Sequence, residues 1–316
     1  MHYSVYVGVA FAALFGVAGP FLARRLAPAV AAWLLSVGAL IAAASGLASV
    51  GLLAMTIVGQ NSSLAAAGHW SSSTLRRADP VHLPVAITAL ALFAFGIGRC
   101  AWVLVQRWRA IRAAHRMNRA LSDTGTDLVV LGDEAPDAYA VPGRPGRIFV
   151  TKGMLALLSR DECRVMLAHE RSHLRHRHHL HRTAVTVATA LNPLLAPLPR
   201  AQSWVTERWA DEDAARICDR ALVASALSRA ANAARPAPRP AAALSMSGGA
   251  VDSRVAAMAT EPPRLGWVML GIALTLLVLS VLGTLDGVTD EAHLFHVALL
   301  GHAHLGHLRR VFRAGR

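Results

Sequence analysis

The sequence predicts a mainly α polytopic membrane protein, with four transmembrane helices and a small α+β domain inserted between the third and the fourth. Two observations indicate this fold class. The 316 residues are 54% hydrophobic and only 16% charged, with a mean hydropathy of +0.41, whereas a soluble domain usually carries about a quarter charged residues. The apolar residues also fall in long runs, and about 20 consecutive apolar residues suffice to cross a bilayer.

Four apolar runs are the predicted spans, and they cover residues 3–23, 28–58, 81–105 and 265–285. The first run is followed by Arg24 and Arg25, whereas a cleaved signal peptide carries its positive charge in front, so we expect a retained span. Five further arginines lie within 107–119, directly after the third run. Since cytoplasmic loops are rich in Lys and Arg, the N-terminus is predicted outside and residues 106–263 in the cytoplasm.

The predicted domains are three transmembrane helices in 1–105, a cytoplasmic domain in 106–263, a fourth transmembrane helix in 264–286 and an extracytoplasmic tail in 287–316. The net charge of +13, almost entirely from arginine, is attributed to orientation in the membrane and to anionic lipid headgroups, without direct nucleic-acid binding. The predicted location is the plasma membrane of a bacterial cell. The three cysteines show no CxxC spacing, which argues against a disulfide scaffold and against a thiolate zinc site.

The cytoplasmic domain is predicted to place short strands before two helices. The predicted strands are 127–132, 138–141 and 147–151, separated by turns that contain Pro and Gly. Ser159 and Glu162 form a capping box that opens a helix, predicted to continue through the histidine-rich stretch 167–181. A second helix is expected to contain residues 203–234, and the segment 235–249, rich in Pro, Ala and Gly, is predicted to be a loop or linker.

The residues His169-Glu170-Arg171-Ser172-His173 have the pattern HExxH. On a helix, residues four apart lie about 40° apart around the axis, so both imidazoles can face one metal ion. Glu170 projects beside them, in reach of a water molecule whose pKa zinc lowers to about 7. The pattern predicts a zinc peptidase with one zinc per chain and Glu170 as general base. The alternative is a chance match in a histidine-rich basic helix.

A third ligand is needed, and the nearby histidines are poor candidates. His176 shares the helical stripe but lies about 10 Å from His169 along a straight helix, while Zn–N bonds are about 2 Å long. His179 has the spacing of the third histidine in HExxHxxGxxH, yet that pattern needs glycine where His176 stands. His178, His179 and His181 are expected in the basic, solvated end of the helix.

The segment ERWAD offers Glu207 and Asp211, four residues apart on one helical face. A glutamate from a second helix can complete a His₂Glu zinc site, and an aspartate one turn further can accept the free ring N–H of a ligand histidine. We therefore predict Glu207 as the third ligand. Asp211 is predicted to hydrogen-bond a ligand histidine without contacting the metal. The alternative is an ordinary solvated acidic helix face, with Glu212 as a fallback ligand about 140° away from Glu207.

The apolar stretch 183–199 lies between the two halves of this predicted site. If it crossed the bilayer, His169 and Glu207 would lie on opposite sides of the membrane. It is also short and interrupted by Asn192 and three prolines, so we predict a buried or interfacial hairpin. The strand 147–151, just before the histidine helix, is predicted to be an edge strand that pairs with an extended peptide.

The segment AYAVPGRPGRIFVTKGMLALLSRDECRVMLAHERSHLRHRHH, followed by NPL and ERWAD, resembles the gluzincin domain of BlaR/MecR-type membrane zinc metallopeptidases. HtpX-like and CAAX prenyl membrane peptidases share a similar core. The resemblance implies a zincin-like catalytic domain with zinc on His169, His173 and Glu207, Glu170 as general base and Asp211 beside the ligands. The segment VDSRVAAM with Arg254 is also similar to these families, but its role is not assigned.

The resemblance implies an endopeptidase in signal transduction that cleaves a BlaI-type transcriptional repressor, or itself, at the cytoplasmic membrane face. The chain departs from this family after the fourth span, where no SxxK motif follows, so a C-terminal penicillin-binding sensor is expected to be missing. Two alternatives stay open at this stage. One is a housekeeping HtpX-like protease for membrane proteins, and the other is a non-catalytic zinc-binding signalling or scaffold protein. Oligomeric state and activating signal are left open.

Overall fold

The structure is a computed structural model that describes residues 4–78, 81–120, 127–233, 244–245, 251–261 and 266–314. These residues form a mainly α protein with one small sheet, in agreement with the predicted fold class. The helices are α1 (Ser4–Arg25), α2 (Pro28–Gln60), α3 (Ser62–Gly68), α4 (Ser72–Ala78), α5 (Leu83–Ala120), α6 (Lys152–Leu157), α7 (Arg160–Arg175), α8 (His178–Leu191), α9 (Leu198–Ala215), α10 (Arg220–Ala233), α11 (Val251–Met258) and α12 (Trp267–Ala314). The strands are β1 (Leu128–Leu131), β2 (Ala138–Val141), β3 (Arg147–Thr151) and β4 (Leu244–Ser245).

Four helices, α1, α2, α5 and α12, are long and apolar enough to cross a membrane. They cover all but at most the first two residues of each predicted run, and large apolar side chains on α5 and α12 stay exposed in the folded chain, such as Phe95 at 58% and Ile272 at 57%. Such exposure is costly in water and ordinary in lipid, which agrees with a membrane protein. Helix α12 is 48 residues long and continues without interruption through the residues predicted to form the tail.

The sheet has the strand order β1-β3-β2-β4, with β3 parallel to β1 and antiparallel to β2. All five residues of β3 are buried. Ile148 and Val150 pack against Met166 of α7 and Leu227 of α10, whereas Phe149 packs on the other face. The prediction that 147–151 is an edge strand is therefore wrong, because both its edges and both its faces are covered.

Helix α7 begins as the sequence predicts. The Ser159 side chain accepts a hydrogen bond from the backbone N–H of Glu162, and the Glu162 carboxylate accepts one from the backbone N–H of Ser159. This capping box satisfies two of the backbone donors that a helix start leaves unpaired. It fixes where α7 starts and, through the helical repeat, which of its residues face the core.

The histidine-rich stretch is not one continuous helix, which contradicts the prediction. Helix α7 ends at Arg175, and Arg177 adopts a left-handed conformation with φ 50° before α8 starts. Asp213 holds this end of α7: it accepts hydrogen bonds of 2.7 Å from both Ser172 and Arg175, and its Oδ2 lies 2.8 Å from Nε2 of His176. These contacts come from α9, so they were invisible in the local sequence.

The second predicted helix, 203–234, is also interrupted, since α9 ends at Ala215 and α10 begins at Arg220. Most of the predicted linker 235–249 lies outside the described residues. Its described part, Leu244–Ser245, forms β4 and pairs antiparallel with β2.

Residues 183–199 form a hairpin, as predicted. Helix α8 leads through a short 3₁₀ turn into α9, and Val185 and Leu198 are buried in one cluster with residues of α1 and α2. The tip of the hairpin reaches two glycines of the membrane-length helices: the carbonyl of Leu194 lies against Gly16, and that of Leu191 against Gly96. The hairpin thus packs among these helices and does not separate the two halves of the predicted site.

The contact at Gly96 gives a test of the hairpin position. A Cβ at Gly96 would lie 2.7 Å from the carbonyl oxygen of Leu191, whereas a Cβ at Gly98 would meet nothing within 4 Å. We expect Gly96→Ala to lower the melting temperature in detergent, because backbone must shift. The matched control Gly98→Ala should keep or slightly raise it, since Ala is favoured over Gly in a helix by about 1 kcal/mol. Equal melting temperatures would mean that the tip does not pack here.

Candidate metal centre

Three side chains from two helices converge inside the domain. His169 and His173 lie one turn apart on α7, Glu207 lies on α9, and one ligand atom from each lies within 4.8 Å of the other two. His169 and His173 are fully buried and Glu207 is 1% exposed. They meet because the side of α7 that carries Val165, His169 and His173 is its buried side, while α9 is buried almost all round from Val205 to Ala214.

The distances between these atoms fit a metal ion. Nε2 of His169 lies 3.1 Å from Nε2 of His173, and the Glu207 carboxylate oxygens lie 3.4 Å and 3.6 Å from these two nitrogens. Tetrahedral zinc with bonds of about 2.0–2.1 Å holds its ligand atoms about 3.3 Å apart. The two imidazole nitrogens and one carboxylate are also a donor set that zinc prefers. The residues present therefore fit a divalent metal of this kind.

The buried charges around the triad call for a cation as well. Three carboxylates are at most 1% exposed here, those of Glu170, Glu207 and Asp211, and they face one buried guanidinium, that of Arg254. With ionised carboxylates and with the histidines neutral, as metal ligands must be, this leaves a net charge of −2 among buried side chains. Uncompensated buried charge is strongly unfavourable, and a divalent cation at the triad would balance it.

Asp211 lies behind His169. Its Oδ1 is 3.0 Å from Nδ1 of His169, so the carboxylate can accept the ring N–H and leave Nε2 directed at the other two ligand atoms. Arg254 of α11 holds this carboxylate with two hydrogen bonds of 2.7 and 2.8 Å. The same guanidinium lies 3.2 Å from Glu207, so Arg254 connects the third ligand with the aspartate beside the first.

The pKa values reflect these contacts. Burial alone lowers the pKa of His169, but the carboxylates of Asp211 and Glu207 outweigh it and raise that pKa to about 9. Burial lowers the pKa of His173 well below its usual range. Burial raises the pKa of Glu207, yet His173 and Arg254 outweigh it and the pKa is lowered overall. In the metal-free site the carboxylate charge is thus partly balanced by a proton on His169.

Glu170 follows His169 on α7 and is fully buried. It contributes to the electrostatic field at Arg254, which places its carboxylate in the same charged group as the triad. A buried carboxylate next in sequence to His169 has the chemistry needed to accept a proton at this site.

The remaining histidines lie elsewhere than expected. His176 stacks on Trp209 with ring centroids 4.3 Å apart and pairs with Asp213, so it is not in the triad. His179 lines a separate cavity together with Arg144 and Arg177. The prediction of a solvated end is wrong for His178 and His181, which are 0% and 6% exposed.

The fallback ligand Glu212 also lies outside the triad. It is 8% exposed and accepts hydrogen bonds from Arg208 on its own helix and from Arg220 at the start of α10. Arg220 in turn donates to the carbonyls of Ala257 and Met258 at the end of α11. Through Arg220, Glu212 of α9 is therefore connected to the end of α11.

Arg254 is the functional residue that sequence reasoning located but did not explain. Its signal was an arginine in the otherwise apolar five-residue segment RVAAM. An arginine on the buried side of a short helix needs a buried carboxylate partner. The two predicted acidic residues of ERWAD were the available candidates, so the pairing could have been proposed.

The fold and the triad together define a membrane-associated protein with a candidate metallopeptidase centre. Residues 107–240 match the sequence profile of Peptidase family M48. This segment contains all three triad residues, and the match supports an M48 family metallopeptidase. Comparison with curated proteins and with solved structures gives no match.

Proposed function

We propose that the protein is a zinc-dependent endopeptidase that cleaves protein substrates at the cytoplasmic face of the membrane. The observation behind this proposal is the convergence of His169, His173 and Glu207 in the segment that matches Peptidase family M48. We propose zinc because catalytic zinc sites use two imidazoles and one carboxylate as protein ligands. Three such ligands leave the fourth tetrahedral position for water or substrate.

Each buried side chain has a defined task in this proposal. Bound zinc would supply Lewis-acid polarisation of the scissile carbonyl and a water of lowered pKa. Glu170 accepts the proton of the attacking water and passes it to the leaving amine. Asp211 keeps His169 in the tautomer with a proton on Nδ1, and Arg254 keeps Asp211 and Glu207 in place and ionised.

The position of the centre supports substrates that lie at the membrane surface. Nδ1 of His181, in the first turn of α8, lies 2.8 Å from Oγ of Ser36 in α2, and Ser36 is about 12 Å along that helix from Pro28 at a rise of 1.5 Å per residue. His173 precedes His181 by eight residues, with the end of α7 and the turn at Arg177 between them. The metal centre therefore lies close to the ends of the membrane-length helices, and its cytoplasmic orientation stays a prediction.

The resemblance found in the sequence favours a regulatory substrate, either a BlaI-type repressor or the protease itself. The profile match and the triad apply equally to a housekeeping protease of membrane proteins. Both belong to the same reaction class, so the first test concerns the reaction.

We expect protein purified in detergent to contain about one zinc per chain and to cleave an unstructured substrate such as casein. Treatment with a chelator should reduce cleavage to background, and added zinc should restore it. A preparation with a full complement of zinc and no cleavage, tested with several unfolded substrates, would instead favour the non-catalytic alternative.

A further inference from the structure

His173 of the triad also pairs with a histidine outside the triad, His178. His178 is fully buried, and its Nδ1 lies 2.7 Å from Nδ1 of His173. The two rings meet edge to face, with centroids 4.9 Å apart and an interplanar angle of 81°. In this geometry one nitrogen donates a hydrogen bond and the other accepts it.

The direction of this bond follows from the role of His173. If Nε2 of His173 is to offer its lone pair to a metal, the one proton of the neutral ring has to be on Nδ1. That proton points at Nδ1 of His178, which must then be the acceptor. The reverse arrangement would put a proton on Nε2 of His173 and block the ligand atom.

We propose that His178 is a positioning residue for the metal centre, which accepts the Nδ1–H of His173 and holds its Nε2 toward the metal. This inference rests on the proposed metal site. The two ligand histidines then have different hydrogen-bond partners. His169 has the carboxylate of Asp211, 3.0 Å away, whereas His173 has the neutral imidazole of His178. A carboxylate raises the basicity of a ligand histidine, so the two ligands differ in donor strength.

The surroundings of His178 keep its ring in one orientation. Trp209 packs against it with centroids 4.9 Å apart, and the ring of His176 stacks on it at 5.8 Å. Arg177, in its left-handed conformation, separates α7 from α8, and His178 at the start of α8 contacts His173 of α7. Nε2 of His178 has no hydrogen-bond partner among the described residues, so His173 is the polar contact that orients the ring.

The test is metal affinity, measured by competition with a chelator on the full-length protein in detergent, with Zn²⁺ and Co²⁺ as probes. His178→Leu removes the acceptor at similar volume and should weaken binding about 10–100-fold, the usual cost of losing such a partner. His178→Gln keeps an acceptor oxygen and should recover most of the affinity. The absorption bands of bound Co²⁺ should be altered in the Leu variant and close to wild type in the Gln variant.

The matched control is His181→Leu, a buried histidine of the same helix that contacts Ser36 and not a ligand. Its metal affinity should stay within about threefold of wild type. If the Leu variant at 178 does not accumulate, His178→Met offers a second side chain without a strong acceptor. Equal affinities for Leu, Gln and wild type would overturn the proposal, as would equal losses in Leu and Gln. Wild-type protein that binds no metal would contradict the proposed function itself, whereas metal binding without cleavage leaves the role of His178 intact.

Discussion

Replacing Glu170 by Gln is expected to lower kcat by about 10²–10⁴-fold while the bound metal stays at the wild-type level. The amide has nearly the same shape but cannot take up a proton from water. Glu170 is not one of the three side chains that converge on the metal position, so the ligand set is unchanged. The measurements are kcat on a peptide or casein substrate and metal content of the same preparation.

The control for this substitution is Glu162→Gln on the same helix. Glu162 is also buried, at 3% exposure, but it lies at the start of α7, where glutamine can still serve in the capping box. Activity and metal content should both stay near wild type. Cleavage by the Glu170→Gln protein at the wild-type rate would remove Glu170 from the mechanism. If the Glu170→Gln protein instead binds metal and is inactive, it can be used to trap natural substrates in membranes.

Half of the metal centre could be predicted from the local sequence because it depends on one helical repeat. Positions four apart bring His169 and His173 to one face wherever the segment is helical, and the capping box at Ser159 made that segment a helix. The position of Glu207 needed one further argument, that the apolar stretch between the two motifs could not cross the membrane. The described hairpin agrees with that argument.

The features that sequence reasoning missed are set by contacts between distant segments. The stretch HLRHRHHLH contains no glycine or proline, so nothing local predicted the break at Arg177. The break is stabilised by Asp213, about 40 residues away, and by stacking of His176 on Trp209. Likewise, the central place of β3 depends on pairing with β1 and β2, which the sequence of one strand does not determine.

Arg254 is expected to contribute the largest single stabilisation in the domain. Its side chain is 0% exposed and contacts the buried carboxylates of Asp211 and Glu207. Replacing it by Met leaves both carboxylates without this counter-charge, and removing one partner of a buried ion pair costs about 3–5 kcal/mol. We therefore expect the free energy of unfolding of the metal-free Arg254→Met protein to fall by about this amount, measured by denaturant titration in detergent micelles.

Two further variants separate charge from geometry. Arg254→Lys keeps the positive charge but cannot make the paired hydrogen bonds to Asp211, so an intermediate loss is expected. Arg164→Met removes an arginine whose side chain, like that of its partner Asp161, is about two-thirds exposed, and exposed pairs contribute about 0–1 kcal/mol. A loss at Arg254→Met no larger than at Arg164→Met would show that the buried charges are compensated in another way.

The metal should alter the effect of Arg254→Met in a defined direction. A divalent cation bound by His169, His173 and Glu207 supplies positive charge beside the same carboxylates, so saturating zinc should reduce the destabilisation. Zinc should therefore stabilise the Met variant by more than it stabilises wild type. By linkage this means that zinc binds the folded variant more tightly, as expected when a positive charge 3.2 Å from the Glu207 carboxylate is removed. Since only eight residues of sequence separate α11 from α12, Arg254 also links the candidate metal centre to the segment that precedes the fourth membrane-length helix. Loss of this connection with zinc bound should appear as lower activity at unchanged metal content.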